Sequence, residues 1–256
     1  MSLPEIHYRY FTKNRALQFV ENFEFYFAPV KNFNDPHDTP IELIRVKEYY
    51  TEKEIREILK NLLPSKIYGQ EKKRYLKKRE RDTFPQFMQE TFIELKNKAH
   101  IFCLSREIYS AVLWSHYTNH TGLAIALKSF NPIGISPRDF TILNMLYEEK
   151  PQHIGLGPSI KHDLIKATST KALEWSYERE TRIVTHNHSG NIRIQPSDVG
   201  LILFGYKADD NFISQVYKSV KSKFISSGLN ELPIFAKMMV KPGSFKLEYF
   251  EMNFKD

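Results

Sequence analysis

The sequence predicts a single α+β domain over residues 1–256, with a mixed, largely antiparallel β core and a charged helical insertion at residues 45–98. Short apolar or aromatic runs bounded by turn residues are typical of strands, and here they do not alternate regularly with helical segments. No G-x-G-x-x-G or P-loop motif occurs, which argues against a Rossmann or P-loop fold. Hydrophobic residues make up 41% of the chain, so it can bury a core.

The helices are predicted from apolar residues that recur three and four positions apart. The clearest one begins at Thr51, which forms a capping box with Glu54 ahead of such a run. From residue 65 the chain continues as helix, with a break near Pro85 left open. The predicted helices are Asn14–Val20, Thr51–Leu63, Ser65–Lys98, Ile108–Tyr117, Ser159–Leu173 and Asp209–Phe224.

The strands are predicted from short runs of aliphatic, β-branched and aromatic residues that end at turn-forming residues. Between the second and third of them, residues 32–40 are rich in Asn, Asp and Pro and predict a turn. The predicted strands are Ile6–Thr12, Phe25–Ala28, Ile101–Leu104, Gly122–Leu127, Phe140–Glu148, Thr181–Thr185, Ile192–Ile194, Val199–Phe204, Ile234–Val240 and Phe245–Phe250.

The basic excess of the chain is uneven. The formal net charge is +7, and residues 72–81 read KKRYLKKRER. Two interpretations stay open for this segment: a solvated helix face, or a surface that binds nucleic acid or another polyanion. The residues concerned are Lys72, Lys73, Arg74, Lys77, Lys78, Arg79 and Arg81.

The single cysteine and the hydropathy pattern indicate a reducing, cytoplasmic setting without membrane association. Cys103 is the only cysteine, so an internal disulfide or a multi-cysteine zinc site is excluded. Its position inside an apolar strand predicts an inert, buried thiol. No apolar run reaches the roughly 18 residues that a membrane span requires, and no secretory signal opens the sequence.

Two carboxylates stand close together at the start of a predicted strand. If the chain is extended there, Glu178 and Glu180 point to the same side. Two like charges so placed are costly unless they face a cation, a polar substrate or solvent. The pair therefore indicates either two carboxylates that share acid–base catalysis or a surface lattice of ion pairs with Arg179 and Arg182.

Three further positions are candidates on residue type. Ser105 ends a predicted strand, where it either delivers a hydroxyl or caps the following helix. Arg9 interrupts an aromatic strand, so it is exposed or binds an anion. His116 and His120 have the i,i+4 spacing of a helical metal site, but we expect no metal; instead, Trp114, His116 and Tyr117 should pack under the sheet.

Taken in order, several motifs resemble those of a bacterial family of unknown function. The family pattern is Y-[KRH]-Y, F-N-D-P, [FC]-x-S, W-S-H-Y followed by H-x-G, and W-x-Y-E-x-E-x-R; in this chain two residues separate Tyr117 from His120. The resemblance names no activity, and Thr118 stands where the family has Ala. The matching segments are Tyr8–Tyr10, Phe33–Pro36, Cys103–Ser105, Trp114–Gly122 and Trp175–Arg182.

A second resemblance implies an activity. ADP-ribosyltransferases of the Arg–Ser–Glu type carry an Arg on the first strand, a Ser that ends a central strand, and an E-x-E at a later strand. Arg9, Ser105 and the pair Glu178 and Glu180 occur in that order. The resemblance implies a split β-sheet and NAD as substrate. Arg9 would hold the NAD phosphates, and Ser105 would orient the catalytic glutamate or the ribose.

The same resemblance divides the chemistry between the two glutamates. Glu180 would stabilise the oxocarbenium ion that forms as nicotinamide leaves, by the electrostatics that glycosidases use. Glu178 would help to activate a nucleic-acid or protein acceptor. The remaining residues expected to bind NAD, some of them by stacking on nicotinamide, are Tyr10, Trp114, His116 and Tyr117.

Three rival interpretations stay open. The first is a nucleic-acid-binding protein that uses residues 72–81 without NAD chemistry. The second is an interaction module in which the motif aromatics are only core. The third is a metal-dependent hydrolase, which lacks convincing ligand spacing. Its ligands would come from Asp35, His37, Asp38, His116 and His120.

Overall fold

The computed structural model of the chain describes residues 2–33, 44–150 and 154–254. The chain divides into two compact units. One, here called the sheet unit, consists of Met1–Ala28, Ile101–Ile142 and Tyr177–Asp256. The other, the helical unit, consists of Pro29–His100 and Leu143–Ser176. The predicted helical segment 45–98 lies inside the helical unit, which also takes in residues 143–176.

Helices and a mixed, mostly antiparallel sheet are both present, so the predicted α+β class is confirmed. The helices are α1 (Lys13–Asn22), α2 (Glu52–Leu62), α3 (Ser65–Tyr75), α4 (Lys78–Arg81), α5 (Phe84–Lys98), α6 (Ala111–Thr118), α7 (Ile160–Thr168) and α8 (Asp210–Ser226). Within the described residues, none of them is both long and apolar enough to cross a lipid bilayer.

The strands mostly follow the predicted segments. They are β1 (Ser2–Phe11), β2 (Glu24–Pro29), β3 (Ile44–Arg45), β4 (His100–Ser105), β5 (Leu123–Ser129), β6 (Thr141–Asn144), β7 (Leu146–Glu148), β8 (Ile154–Gly155), β9 (Thr170–Ala172), β10 (Glu180–Thr185), β11 (Gly190–Arg193), β12 (Val199–Phe204), β13 (Ile234–Val240) and β14 (Leu247–Glu251). The main sheet has the order β11-β2-β4-β1-β5-β12-β13-β14, and β10 pairs with β4.

The two faces of this sheet carry different chemistry. Tyr8 on β1 lies opposite Ser105 on β4, and Tyr10 lies opposite Ala124 on β5. Because side chains alternate along a strand, these residues share one face, here called the α6 face. The intervening Arg9, opposite Ile125, belongs to the other face, here called the aromatic face. The aromatic face buries a core of phenylalanines and aliphatic side chains with α1 and α8.

Two helix predictions need correction in the helical unit. The predicted helix Ser65–Lys98 is three helices, and its breaks lie at residues 76–77 and 82–83. Pro85 stands in the first turn of α5, where a proline is tolerated, and it breaks nothing. The rings of Tyr75 and Phe84, which lie on either side of these breaks, pack edge-on with their centres 5.1 Å apart. The predicted helix Ser159–Leu173 ends at Thr168, and β9 follows.

The capping box at the start of α2 is confirmed. The Thr51 hydroxyl accepts from the Glu54 backbone N–H at 3.3 Å, and the Glu54 carboxylate accepts from the Thr51 backbone N–H at 2.9 Å. Behind this cap, Ile55, Ile58 and Leu59 are fully buried. Local capping and apolar spacing therefore place this helix correctly.

A buried histidine next to β10 makes stability depend on pH. His7 donates from Nδ1 to the Glu5 carbonyl at 2.7 Å, and Nε2 accepts from the Thr181 hydroxyl at 3.1 Å. Burial lowers the pKa of His7 below its usual 6.5. The unfolded chain then binds more protons than the folded one, so stability falls as the pH drops through 6.5.

We therefore expect the free energy of unfolding to decrease between about pH 6.5 and 5. A His7→Gln variant, which cannot be protonated, should lose part of this pH dependence. Denaturant titrations of both proteins over that range measure the difference. Parallel pH profiles would show that His7 does not contribute.

Candidate functional site

Ser105 joins two segments of the sheet unit. It ends β4 and is 7% exposed. Its hydroxyl donates to the Glu178 carbonyl at 2.6 Å and accepts from the Glu107 backbone N–H at 2.9 Å. The cap of α6 is Ser110, which accepts from the Leu113 N–H, so capping by Ser105 is wrong. Ser105 instead holds the turn that carries Glu178.

Glu178 is buried and hydrogen-bonded to a tyrosine. It ends a short 3₁₀ helix, and its Oε1 accepts from the Tyr117 hydroxyl at 2.5 Å. Loss of hydration and the Glu178 charge both raise the pKa of Tyr117, so the phenol stays a donor.

The chain between the two glutamates is not extended, which corrects the premise that both lie on one strand. Arg179 has a φ of +44°, in the left-handed region that non-glycine residues rarely adopt. Glu178 therefore precedes the strand, and only Glu180 belongs to β10. Strained backbone of this kind is frequent at functional sites, because the surrounding contacts must hold it.

Glu180 forms a buried ion pair. Arg182 Nε lies 2.7 Å from Glu180 Oε1, and their side chains are 0% and 5% exposed. The expected lattice with Arg182 is therefore internal rather than on the surface. Burial, together with the charge of the nearby Glu180 carboxylate, raises the pKa of the Cys103 thiol. Glu180 is thus a buried carboxylate that is paired with a guanidinium and lies near a thiol.

Trp114 and Tyr10 are structural parts of the α6 face. Trp114 is fully buried, as the packing interpretation predicts, and its Nε1 donates to the Ile108 carbonyl at 2.7 Å. Its ring meets the Tyr10 ring edge-on at 5.1 Å. The Tyr10 hydroxyl donates to the Glu107 carbonyl at 2.7 Å. Both rings are enclosed, and stacking of either on nicotinamide stays a prediction.

His116 and Tyr117 lie outside the core, contrary to the expectation that they pack under the sheet. Both are exposed, and their rings stack with their centres 4.8 Å apart. His120 lies beyond the end of α6 with a φ of +60°, so the two histidines do not share a helix face. In the parts of the chain that are described, no three His, Cys, Asp or Glu residues are grouped so as to hold a metal ion.

The structure does not bring Arg9 to the glutamates. Arg9 Nη1 donates to the Cys103 carbonyl at 2.8 Å, and the guanidinium lies 5.0 Å from the centre of the Phe102 ring. Strand alternation places it on the aromatic face, whereas Ser105 belongs to the α6 face. Arg9, the cation on β1, therefore does not lie on the face of the sheet that carries Ser105.

The basic run 72–81 does not form one continuous helix face. Two of its arginines form ion pairs: Arg74 Nη1 lies 3.6 Å from Glu71 Oε2, and Arg81 Nη2 lies 2.6 Å from Glu52 Oε1. The chain leaves helical geometry between α3 and α4, in the middle of the run. Lys73 and Lys77 are exposed, Lys72 lies over a tyrosine ring, and only the backbone is described for Lys78 and Arg79.

The candidate site contains two buried carboxylates: Glu178 accepts from the Tyr117 hydroxyl, and Glu180 pairs with the Arg182 guanidinium. The Ser105 hydroxyl binds the backbone carbonyl of Glu178. Glu107 was not among the predicted site residues, although its backbone binds both Ser105 and Tyr10. No sequence signal marks it, since its role depends on contacts between distant segments. The ion pair of Glu180 with Arg182 could be anticipated from their i,i+2 spacing on a strand.

No protein-family model, curated protein or solved structure matches this chain. By its fold and its site, the chain is an α+β protein with a buried cluster of two carboxylates. The resemblances to a bacterial family and to ADP-ribosyltransferases stay predictions. Asn34, Asp35 and Pro36 of the bacterial-family motif F-N-D-P lie outside the described residues, as do the candidate ligands Asp35, His37 and Asp38, since residues 34–43 are not described.

Proposed function

We propose that the sheet unit is an ADP-ribosyltransferase-like enzyme that cleaves the nicotinamide–ribose bond of NAD and modifies a nucleic-acid or protein acceptor. The observation that supports it is the cluster itself. Two buried glutamates flank a strained Arg179, and the Ser105 hydroxyl binds the turn that they share. Buried carboxylates with dedicated donors are costly to keep and are frequent at catalytic sites.

The proposed reaction breaks the C1′–N bond, and the electron pair leaves with nicotinamide. The ribose becomes an oxocarbenium ion, and the Glu180 carboxylate opposes its positive charge. Arg182, which lies 2.7 Å from Glu180, compensates the charge of this buried carboxylate. Glu178 accepts the proton of the attacking acceptor group, which then bonds to C1′. Tyr117 fixes the orientation of the Glu178 carboxylate.

Arg179 takes the diphosphate-binding role that the resemblance gives to Arg9. Its side chain is 55% exposed, and its ion pair with Glu107 is long, with Nη1 3.8 Å from Glu107 Oε2. It lies between the two glutamates in the chain, whereas Arg9 lies on the opposite face of the sheet. A guanidinium is well suited to a diphosphate because it donates in a planar fork.

We expect Glu178→Gln to lower ADP-ribose transfer by about 100-fold or more, since it removes a general base. Tyr117→Phe, which removes one hydrogen bond to a charged group, should cost about tenfold. Transfer of label from NAD to protein and nucleic-acid mixtures measures both. Wild-type protein that neither releases nicotinamide nor labels any acceptor would contradict the proposal.

The alternative is nucleic-acid binding through residues 72–81 without NAD chemistry. Its support is weaker, because Arg74 and Arg81 are engaged in ion pairs and the run is divided between two helices.

A further inference from the structure

An open groove of about 500 Å³ runs along α2 and α3 in the helical unit. Three of its five lining residues are cations and one is an acid. They are Lys53, Arg56, Glu57, Lys60 and Tyr68. The Lys72 ammonium lies 5.5 Å from the centre of the Tyr68 ring, which adds a fourth cation at the rim. The groove is therefore positively charged and has one aromatic wall.

The cations line the groove because of their spacing on α2. Lys53, Arg56 and Lys60 stand at i, i+3 and i+7, which places them on one helix face. The opposite face is buried in the core of this unit. Along the helix axis, Lys53 and Lys60 are about 10 Å apart, which is enough for more than one phosphate.

These cations are largely available to a ligand. Lys53 and Lys60 are exposed, and neither has an ion-pair partner among the residues that the structure describes. Within the described part of the chain, Arg56 forms an exposed i,i+4 ion pair with Glu52, in which Arg56 Nη2 lies 3.4 Å from Glu52 Oε2. Such pairs contribute little to stability, so anion binding can replace them at small cost.

Tyr68 gives the groove a selectivity that lysines alone do not. The residue is half-buried, and its ring forms part of the groove wall. Every nucleobase can stack on an aromatic ring, but only an unpaired base can enter a concave surface and do so. A groove with a line of cations and one such ring therefore matches a single strand better than a duplex.

We propose that this groove binds single-stranded nucleic acid, with the phosphates at Lys53, Arg56 and Lys60 and a base against Tyr68. The site lies within the helical unit and shares only Lys72, at its rim, with the basic run 72–81. It does not depend on the NAD chemistry of the sheet unit, so either proposal can fail without the other.

The test is fluorescence anisotropy of a labelled single-stranded oligonucleotide of about 12 nucleotides. Lys53→Gln/Lys60→Gln should weaken binding at least tenfold. It should also lower the slope of log K against log salt by about 1.4, since each phosphate contact on a single strand contributes about 0.7. The matched control is Lys73→Gln/Lys77→Gln, which removes the same charge outside the groove and should change affinity by less than about threefold.

Two further variants separate the groove from general electrostatic attraction. Glu57→Gln removes the one acid and should tighten binding, whereas Tyr68→Leu should weaken it about tenfold. Equal losses in the two double-lysine variants would overturn the proposal, as would absent wild-type binding. Duplex DNA that binds as tightly as the single strand would overturn the assignment of a single-stranded ligand.

Discussion

Glu180→Gln is expected to lower the free energy of unfolding by about 3–5 kcal/mol, because it removes one charge of a buried ion pair and leaves the charge of Arg182 in place. Arg182 is completely buried and donates to Glu180 through Nε at 2.7 Å. A glutamine amide oxygen accepts a hydrogen bond but does not offset the charge. Denaturant unfolding of the variant, compared with wild type at pH 7, measures the loss.

The double variant Glu180→Gln/Arg182→Met is the control for this prediction. Removing both charges of a buried pair is often close to neutral, because neither charge is left uncompensated. We expect it to recover at least half of the stability that the single variant loses. If the single and double variants are equally unstable, the ion pair is not the reason for the loss.

Gly122→Ala is the second change with a large expected effect. A Cβ at this position would lie 1.9 Å from the Phe11 carbonyl oxygen. The backbone cannot easily move away, because Phe11 on β1 pairs with Leu123 on β5. We expect a loss of about 3 kcal/mol or more in the free energy of unfolding, at or above the upper end of ordinary overpacking.

Gly69→Ala serves as the matched control for the glycine. Gly69 lies inside α3, and an added Cβ there would meet nothing within 4 Å. Alanine should stabilise the helix by about 0.5–1 kcal/mol, because it has less freedom in the unfolded chain. Thermal unfolding of both variants measures the contrast. A Gly122→Ala protein as stable as wild type would show that the strand contact is not tight.

The elements that the sequence predicts well are those determined by neighbouring residues. The Thr51 capping box and the strand Ile234–Val240 agree with the structure because caps and strand periodicity are local properties. The motif W-S-H-Y-x-x-H-x-G, as it stands at residues 114–122, is in part a backbone requirement. It ends at Gly122, where only glycine fits against Phe11.

The structural features that the sequence did not predict depend on contacts between segments that are distant in the chain. The rings of Tyr75 and Phe84 pack together across the breaks that separate α3 from α5, and the Ser105 hydroxyl binds a residue 73 positions away. The face to which Arg9 points depends on the register of β1 against β4 and β5, which no local pattern reveals. The order of site residues in a sequence therefore did not establish that they meet.

Nicotinamide release from NAD by wild type and by Glu180→Gln/Arg182→Met tests the central claim most directly, because the double variant lacks the carboxylate and should keep its fold. If Glu180 stabilises the oxocarbenium ion, wild type releases nicotinamide and the double variant does so at least about 100-fold more slowly. Its unfolding transition and circular dichroism confirm that it is folded. Equal rates in the two proteins, or no release by wild type with any acceptor, would contradict the assignment of an NAD-cleaving site.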